Sequence, residues 1–183
     1  MPKYNEKYTN PLTDSEFLEG MKKGEFLKVP QHVGFVAFLH YTAVRKGEAL
    51  KMTRGQFRIT NDMLFCDIGV RLKHSKRTEP LPLPLSAPYV DSIEDCLIGL
   101  KPDQRVWPFC SKTGYNIVHR VFKYPHYHRL SRITNFLLEG WTVPEVLWWT
   151  GLTVKALESY VGKVAILKMG QSLARKKFML KGE

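Results

Sequence analysis

The stretch PHYHRLSRITNFLLEG, residues 125 to 140, decides how the rest of the chain is read. Pro125 suits the first position of a helix, where its missing N–H costs nothing. Leu130, Ile133 and Leu137 then recur at spacings of three and four, the stripe of a helix packed on one side. His126 and Arg129 lie one turn before Leu130 and Ile133, so the same inward face carries a histidine and an arginine at its N-terminal end. Cations there oppose the helix dipole, at a cost of a few tenths of a kcal/mol to about 1 kcal/mol each. A bound anion reverses the sign, because the free N–H groups of a helix start and a planar guanidinium both suit a phosphate. Taken alone, the same groups also read as loop caps or solvated charges.

Outward from this helix the chain divides into helical and β-type patterns. Upstream, Thr13 and Glu16 have the capping-box form, with Phe17 and Met21 at helical spacing and Gly24 as a stop. VGFVAFLHYTAV reads as a second helix ending near Arg45, and KGEALKM as a short third one. From Gln56 the signals turn to short β runs: QFRIT, the turn pair Asn61 and Asp62, MLFCDIGV, the basic RLKHSKR, and TEPLPLPL. Prolines alternating with Leu81, Leu83 and Leu85 remove backbone donors, which argues for an edge strand or an extended linker. Helical patterns return in YVDSIEDCLIGL, TGYNIVHRVF, the 125–140 stretch, TVPEVLWWTG and KALESYVGKVAILKMGQSLARKKF. The expected fold class is α+β, mainly helical, with one small antiparallel sheet.

Composition narrows the function. With 183 residues, 44% apolar and 25% charged, the chain has the make-up of a soluble globular domain and enough length for a sizeable core. The N-terminal MPKYNEKYTN lacks the apolar run of a signal peptide, and the longest apolar stretch is interrupted by His40. An intracellular protein, with no membrane partner, is expected. Cys66, Cys96 and Cys110 are odd in number and widely spaced, so they read as small buried hydrophobes rather than disulfides or a zinc site. The net charge of +11, carried by clustered lysines and arginines, favours a polyanionic partner, nucleic acid first.

Four other positions are ordinary one by one. Arg45 and Glu48 form a local pair three residues apart, worth about 0.3 to 0.5 kcal/mol. Lys73 sits beside Lys76 and Arg77 in what reads as a solvated basic turn. Tyr160 follows Leu157 by three residues and reads as a core tyrosine. Their order is less ordinary. AVRKGEALKM, then KHSKRTEPLPL, then PHYHRLSRITNFLLEG, then a tyrosine 31 residues after Arg129 resemble the boxes of the catalytic domain of the tyrosine recombinases, the phage integrase family. The resemblance spans about residues 13 to 165.

That resemblance implies a tyrosine-recombinase catalytic fold with a small three-stranded antiparallel sheet. It implies a single catalytic domain over 1–183 with a helical tail from about 163 and no separate N-terminal core-binding domain. It implies a site-specific recombinase or integrase that cuts and rejoins DNA through a 3′-phosphotyrosyl link, without ATP, metal or cofactor. Tyr160 takes the role of nucleophile, Arg45 and Arg129 clamp the phosphate oxygens, Lys73 protonates the departing 5′-oxygen, and His126 assists proton transfer. Glu48 supports the first arginine or the histidine. Leu152, in WWTGLTV, stands where the family commonly has His or Trp, and a leucine cannot donate a hydrogen bond; Trp148 or Trp149 would have to supply one. Lys51, Arg54, Arg58, Arg71, Lys76, Arg77, Arg132 and His128 are candidate DNA contacts, and His128 with Arg132 is the lesser register for the second box. Arg175, Lys176 and Lys177 could touch DNA or belong to a tail that packs on a neighbour. The implied partner is double-stranded DNA, bound as a tetramer on paired sites by a protein that is mostly monomeric in solution. A cytoplasmic or nucleoid setting, or a host cell, follows from an archaeal or mobile-element integrase. The alternatives are a type IB topoisomerase-like DNA-relaxing enzyme and a catalytically impaired DNA-binding module of the same fold.

Overall fold

The computed structural model describes residues 11–23, 28–68, 71–72, 75–76, 79–162 and 164, with backbone alone at 71–72 and 75–76. The element order is α1 (Asp14–Lys23), α2 (Pro30–Thr42), α3 (Lys46–Ala49), β1 (Phe57–Thr60), β2 (Met63–Cys66), β3 (Arg71–Leu72), β4 (Ser75–Lys76), β5 (Leu81–Pro84), α4 (Asp91–Asp95), α5 (Ser111–His119), α6 (Pro125–Leu138) and α7 (Val143–Thr150). Residues 154–162 form α8. The mainly helical architecture with one three-stranded antiparallel sheet is the one the sequence suggests.

Helix α2 organises the molecule because it is apolar on every side and therefore has to be surrounded. Val33, Phe35, Val36, Phe38 and Leu39 are all buried, and each fully buried side chain of this kind contributes roughly 1.5 to 3 kcal/mol of transfer free energy. Phe38 meets Trp107 with ring centroids 4.7 Å apart, and Phe57 of β1 lies 5.6 Å from Phe38, so the sheet packs on this helix. Helix α4 approaches α2 at Gly34, where a Cβ would come within 2.5 Å of the Ser92 carbonyl oxygen and 2.6 Å of Cys96 Sγ. α2 ends at Ala43, whose φ of +53° is left-handed. For a residue with a Cβ that conformation costs of order 1 kcal/mol, so something must hold it.

The sheet has the order β1-β2-β5, all antiparallel. Asn61 (φ +50°) and Asp62 (φ +58°) make the β1–β2 connection, the positive-φ pair that a two-residue hairpin prefers. Pro82 and Pro84 lie on β5, opposite Phe65 and Met63, and the edge position tolerates their missing donors. A separate ribbon pairs Arg71 with Lys76 and Leu72 with Ser75. Three sequence expectations are shortened: YVDSIEDCLIGL is helical only over Asp91–Asp95, with Gly99 at φ +74° beyond it, TGYNIVHRVF stops at His119, and β2 stops at Cys66. Cys110, expected to be buried, is exposed at the cap of α5, where Sγ accepts the Thr113 N–H at 3.4 Å. Among the described residues, no helix is long and apolar enough to cross a membrane.

Candidate active site

Two apolar clusters meet along α6. One gathers around α2, and the other holds Ala43, Leu130, Ile133, Phe136, Val146, Leu152, Leu157 and Tyr160. At the start of α6 lies a cleft of about 270 Å³ lined by Val44, Arg45, Lys46, Tyr115, Tyr124, Pro125, His126 and Arg129. Three elements build it. The extended backbone at Arg45 starts α3, Pro125 at the first position starts α6 with an extended Tyr124 before it, and Tyr115 comes from α5.

Arg129 is the most constrained residue of the cleft. Its side chain is 3% exposed, yet it carries a charge that burial alone would make expensive. Nη1 donates to the Ala43 carbonyl, and Nη2 donates to the Thr150 carbonyl at 3.4 Å. One guanidinium thus joins the left-handed end of α2 to the end of α7. Burial and the neighbouring Arg45 guanidinium lower its pKa, and Tyr160 and Glu48 oppose that fall.

Arg45 is exposed at the mouth. Its Nη1 donates to Glu48 Oε1 at 3.0 Å, while its backbone N–H donates to Glu48 Oε2 at 2.9 Å. Glu48 therefore caps the helix start and aims the guanidinium in one arrangement. His126 is exposed on the cleft wall. Tyr160 does not line the cleft: it is 9% exposed and packs in the second apolar cluster with Ala43, Leu152 and Leu157. Lys73 lies outside the described residues, as do Arg77 and the tail lysines and arginine at 175–177. Among the described residues, no group of three His, Cys, Asp or Glu side chains is arranged to hold a metal ion.

Several candidate contacts are corrected by their surroundings. His128 is completely buried, edge-on to Phe122 at 4.8 Å and near His40 at 5.8 Å, so it cannot touch DNA. It lies two positions from His126, roughly 200° around the helix, and so points into the core. Arg132 is ion-paired to Asp14 at 3.2 Å and Glu139 at 3.7 Å and lies over the Phe136 ring. Its charge is spent tying α6 to α1 rather than meeting DNA. Trp149 donates its indole N–H to the Tyr41 carbonyl at 3.1 Å, so it cannot supply the donor that Leu152 lacks. Leu152 itself is buried in the second cluster, and Trp148 is 43% exposed outside the cleft lining. Lys51 and Arg58 are exposed, Arg58 lying 4.9 Å over Phe65, while Arg54 donates to the Phe57 carbonyl at 2.9 Å. Lys46, which the sequence reading passed over as the neighbour of Arg45, lies in the cleft lining.

No family model and no curated protein matches the chain. Solved structures do. The crystal structure of XerA recombinase aligns over 93% of this chain and 66% of its own length, at 15% identity and a TM-score of 0.64. XerH site-specific recombinase bound to difH substrate, in a pre-cleavage complex, aligns over 82% of this chain and 50% of its own, at 19% identity and a TM-score of 0.62. The post-cleavage complex of XerH with a palindromic difH substrate aligns over 92% and 54%, at 19% identity and 0.63. The chain thus has the fold of a tyrosine recombinase catalytic domain and spans one half to two thirds of the length of these proteins.

Proposed function

We propose that this chain is a DNA strand-transferase, a site-specific recombinase that cleaves and rejoins DNA through a phosphotyrosyl intermediate. The observation that carries the proposal is the buried Arg129, fixed by two backbone carbonyls in a cleft that also holds Arg45 and His126, with Tyr160 in the same apolar cluster as Ala43, whose carbonyl Arg129 holds. A buried guanidinium to which no carboxylate among the described residues is bonded suits an anion that arrives from outside.

The chemistry follows from those roles. The Tyr160 hydroxyl attacks a backbone phosphorus, the bond to the 5′-oxygen breaks, and a 3′-phosphotyrosyl ester and a free 5′-hydroxyl result. His126 takes up the phenolic proton, and Lys73 gives a proton to the departing oxygen. Arg45 and Arg129 hold the non-bridging oxygens as negative charge gathers on them, with Glu48 keeping Arg45 aimed. Because the ester stores the energy of the broken bond, religation needs no ATP. Tyr160 has to move toward the cleft for the attack, since it lies tucked against the second cluster. The proposed catalytic unit runs over about residues 13 to 165, takes double-stranded DNA and acts as a tetramer on paired sites.

A second reading, a DNA-binding module without turnover, is favoured by Leu152, which offers no donor where one is expected. The three similar structures are of recombinases, which does not favour a topoisomerase-like enzyme. Covalent trapping decides: the protein is incubated with nicked duplexes drawn from DNA flanking its own gene, denatured and resolved by mass. A shifted adduct that vanishes in Tyr160→Phe supports the recombinase. An adduct that persists in Tyr160→Phe overturns the nucleophile, and salt-sensitive binding with no adduct supports the binding module.

A further inference from the structure

Lys46 is the cation of the cleft that neither the box pattern nor the proposed chemistry uses. It is the first residue of α3, directly after Arg45. Its Nζ crosses to the start of α5, where it donates to the Ser111 carbonyl and to Ser111 Oγ, both at 2.8 Å, and stands 5.8 Å from the centre of the Tyr115 ring. No carboxylate among the described residues pairs with it, whereas the neighbouring Arg45 is paired to Glu48. The first turn of α5 also has no acidic residue.

An ammonium has three N–H groups, and Ser111 accounts for two. The serine anchor also fixes a side chain that is otherwise the most flexible kind of cation, so the entropy of ordering it is lost on folding rather than on binding. Arg45 turns to Glu48 whereas Lys46 reaches Ser111, so Lys46 places its positive charge on the α5 wall of the same cleft rather than beside the Arg45 guanidinium. Phosphates of one DNA strand follow each other about 3.4 Å apart along the axis.

We infer that Lys46, held by Ser111, binds the DNA backbone at a phosphate next to the one gripped by Arg45 and Arg129. The inference rests on the strand-transferase reading and adds a positioning contact to it: two neighbouring phosphates, held on two walls, fix the direction of the strand through the cleft, which one phosphate cannot do. A purely structural Lys46 would only tie α3 to α5.

The test is equilibrium binding of the full chain to a mixed-sequence DNA duplex across a salt series, with thermal unfolding and covalent trapping run in parallel. Lys46→Gln keeps a donor for Ser111 and removes the charge; Lys46→Met removes both; Lys46→Arg keeps the charge; Ser111→Ala removes the hydroxyl of the anchor and leaves its carbonyl. Loss of one phosphate contact lowers the slope of log affinity against log salt by about 0.9, which amounts to about five-fold weaker binding near 0.15 M salt. The inference expects that loss in Lys46→Gln and Lys46→Met and a retained slope in Lys46→Arg and Ser111→Ala. An unchanged slope in Lys46→Gln, with a lower unfolding temperature in Lys46→Met and Ser111→Ala, overturns it and leaves a structural tie. If the wild-type chain forms its adduct while the slopes are unchanged, only this inference fails. If the wild-type chain does not bind the duplex at all, the strand-transferase reading fails with it.

Discussion

Arg129 bonds to two carbonyls that belong to different helices, and only a planar fork with several donors can reach both and still face a cleft. Arg129→Lys keeps the charge and loses the fork. Its adduct formation rate is expected to fall about 10²- to 10³-fold in single-turnover trapping, the usual effect of losing one positioned donor to a developing charge. A loss of less than about ten-fold would show that charge alone suffices. Leu152→Ala opens space among Leu130, Ile133, Phe136 and Val146, and is expected to cost about 2 to 4 kcal/mol in denaturant unfolding. At this scale the sequence was informative where order and spacing carried the signal. His126, Arg129 and Arg45 line one cleft, with Glu48 bonded to Arg45. It was blind where direction mattered: His126 and His128 look alike in HYH, but only the helical phase, set by what packs around α6, sends one to the cleft and the other into the core. Trp149 was undecidable for the same reason, since the Tyr41 carbonyl that takes its N–H lies 108 residues away.

Between elements, two contacts make measurable claims. Gly34 lets α4 reach α2, and a methyl group there collides with the Ser92 backbone as well as with the Cys96 thiol. Gly34→Ala is expected to cost about 1 to 3 kcal/mol, read as a lower unfolding temperature; no change would mean that α4 moves away freely. The second contact joins α1, α2 and α6. His40 is stacked on Phe17 at 3.7 Å and its Nε2 lies 3.3 Å from Asp14, which also meets Arg132; His128 packs edge-on to Phe17, Phe122 and His40. Burial holds the His128 pKa well below 6.5, and burial likewise lowers that of His40 against the pull of Asp14. In the unfolded chain both histidines take a proton near pH 6.5, while the folded chain resists it, so the unfolded state binds more protons. Stability is therefore highest above that pH and falls as the pH drops below it. Thermal unfolding between about pH 8 and pH 5 checks this. His128→Leu should flatten the acid limb, and an unaltered limb would assign it elsewhere. The elements themselves were legible from the period of their apolar residues, as α2 and α6 illustrate. Their ends were less so, because the stop of α4 at Asp95 is a matter of packing against α2 that YVDSIEDCLIGL does not announce.

For the whole molecule the governing quantity is the charge of +11. If the basic residues contact about six to ten phosphates, affinity for duplex DNA should fall by about 10³ to 10⁵ between roughly 50 and 200 mM salt. A shallow dependence would mean that most of the charge faces elsewhere, as Arg132 does when it pairs with Asp14 and Glu139. Global architecture was readable from the order of helical and β-type segments; which basic residues are taken up by internal ion pairs was not, because it depends on neighbours distant in sequence.

The carbonyl bridge made by Arg129 also bears on how such a chain would decay. Whatever the cleft does, the fold needs this arginine, since removing it strands two buried carbonyls and loosens the left-handed turn at Ala43, at about 1 to 3 kcal/mol for each unmet partner. Arg45 and His126 stand exposed at the rim, where drift meets little resistance from the fold. The persistence of Arg129 in descendants of this chain would testify to folding, and the rim residues would keep a record that Arg129 cannot of whether selection still acted on the cleft.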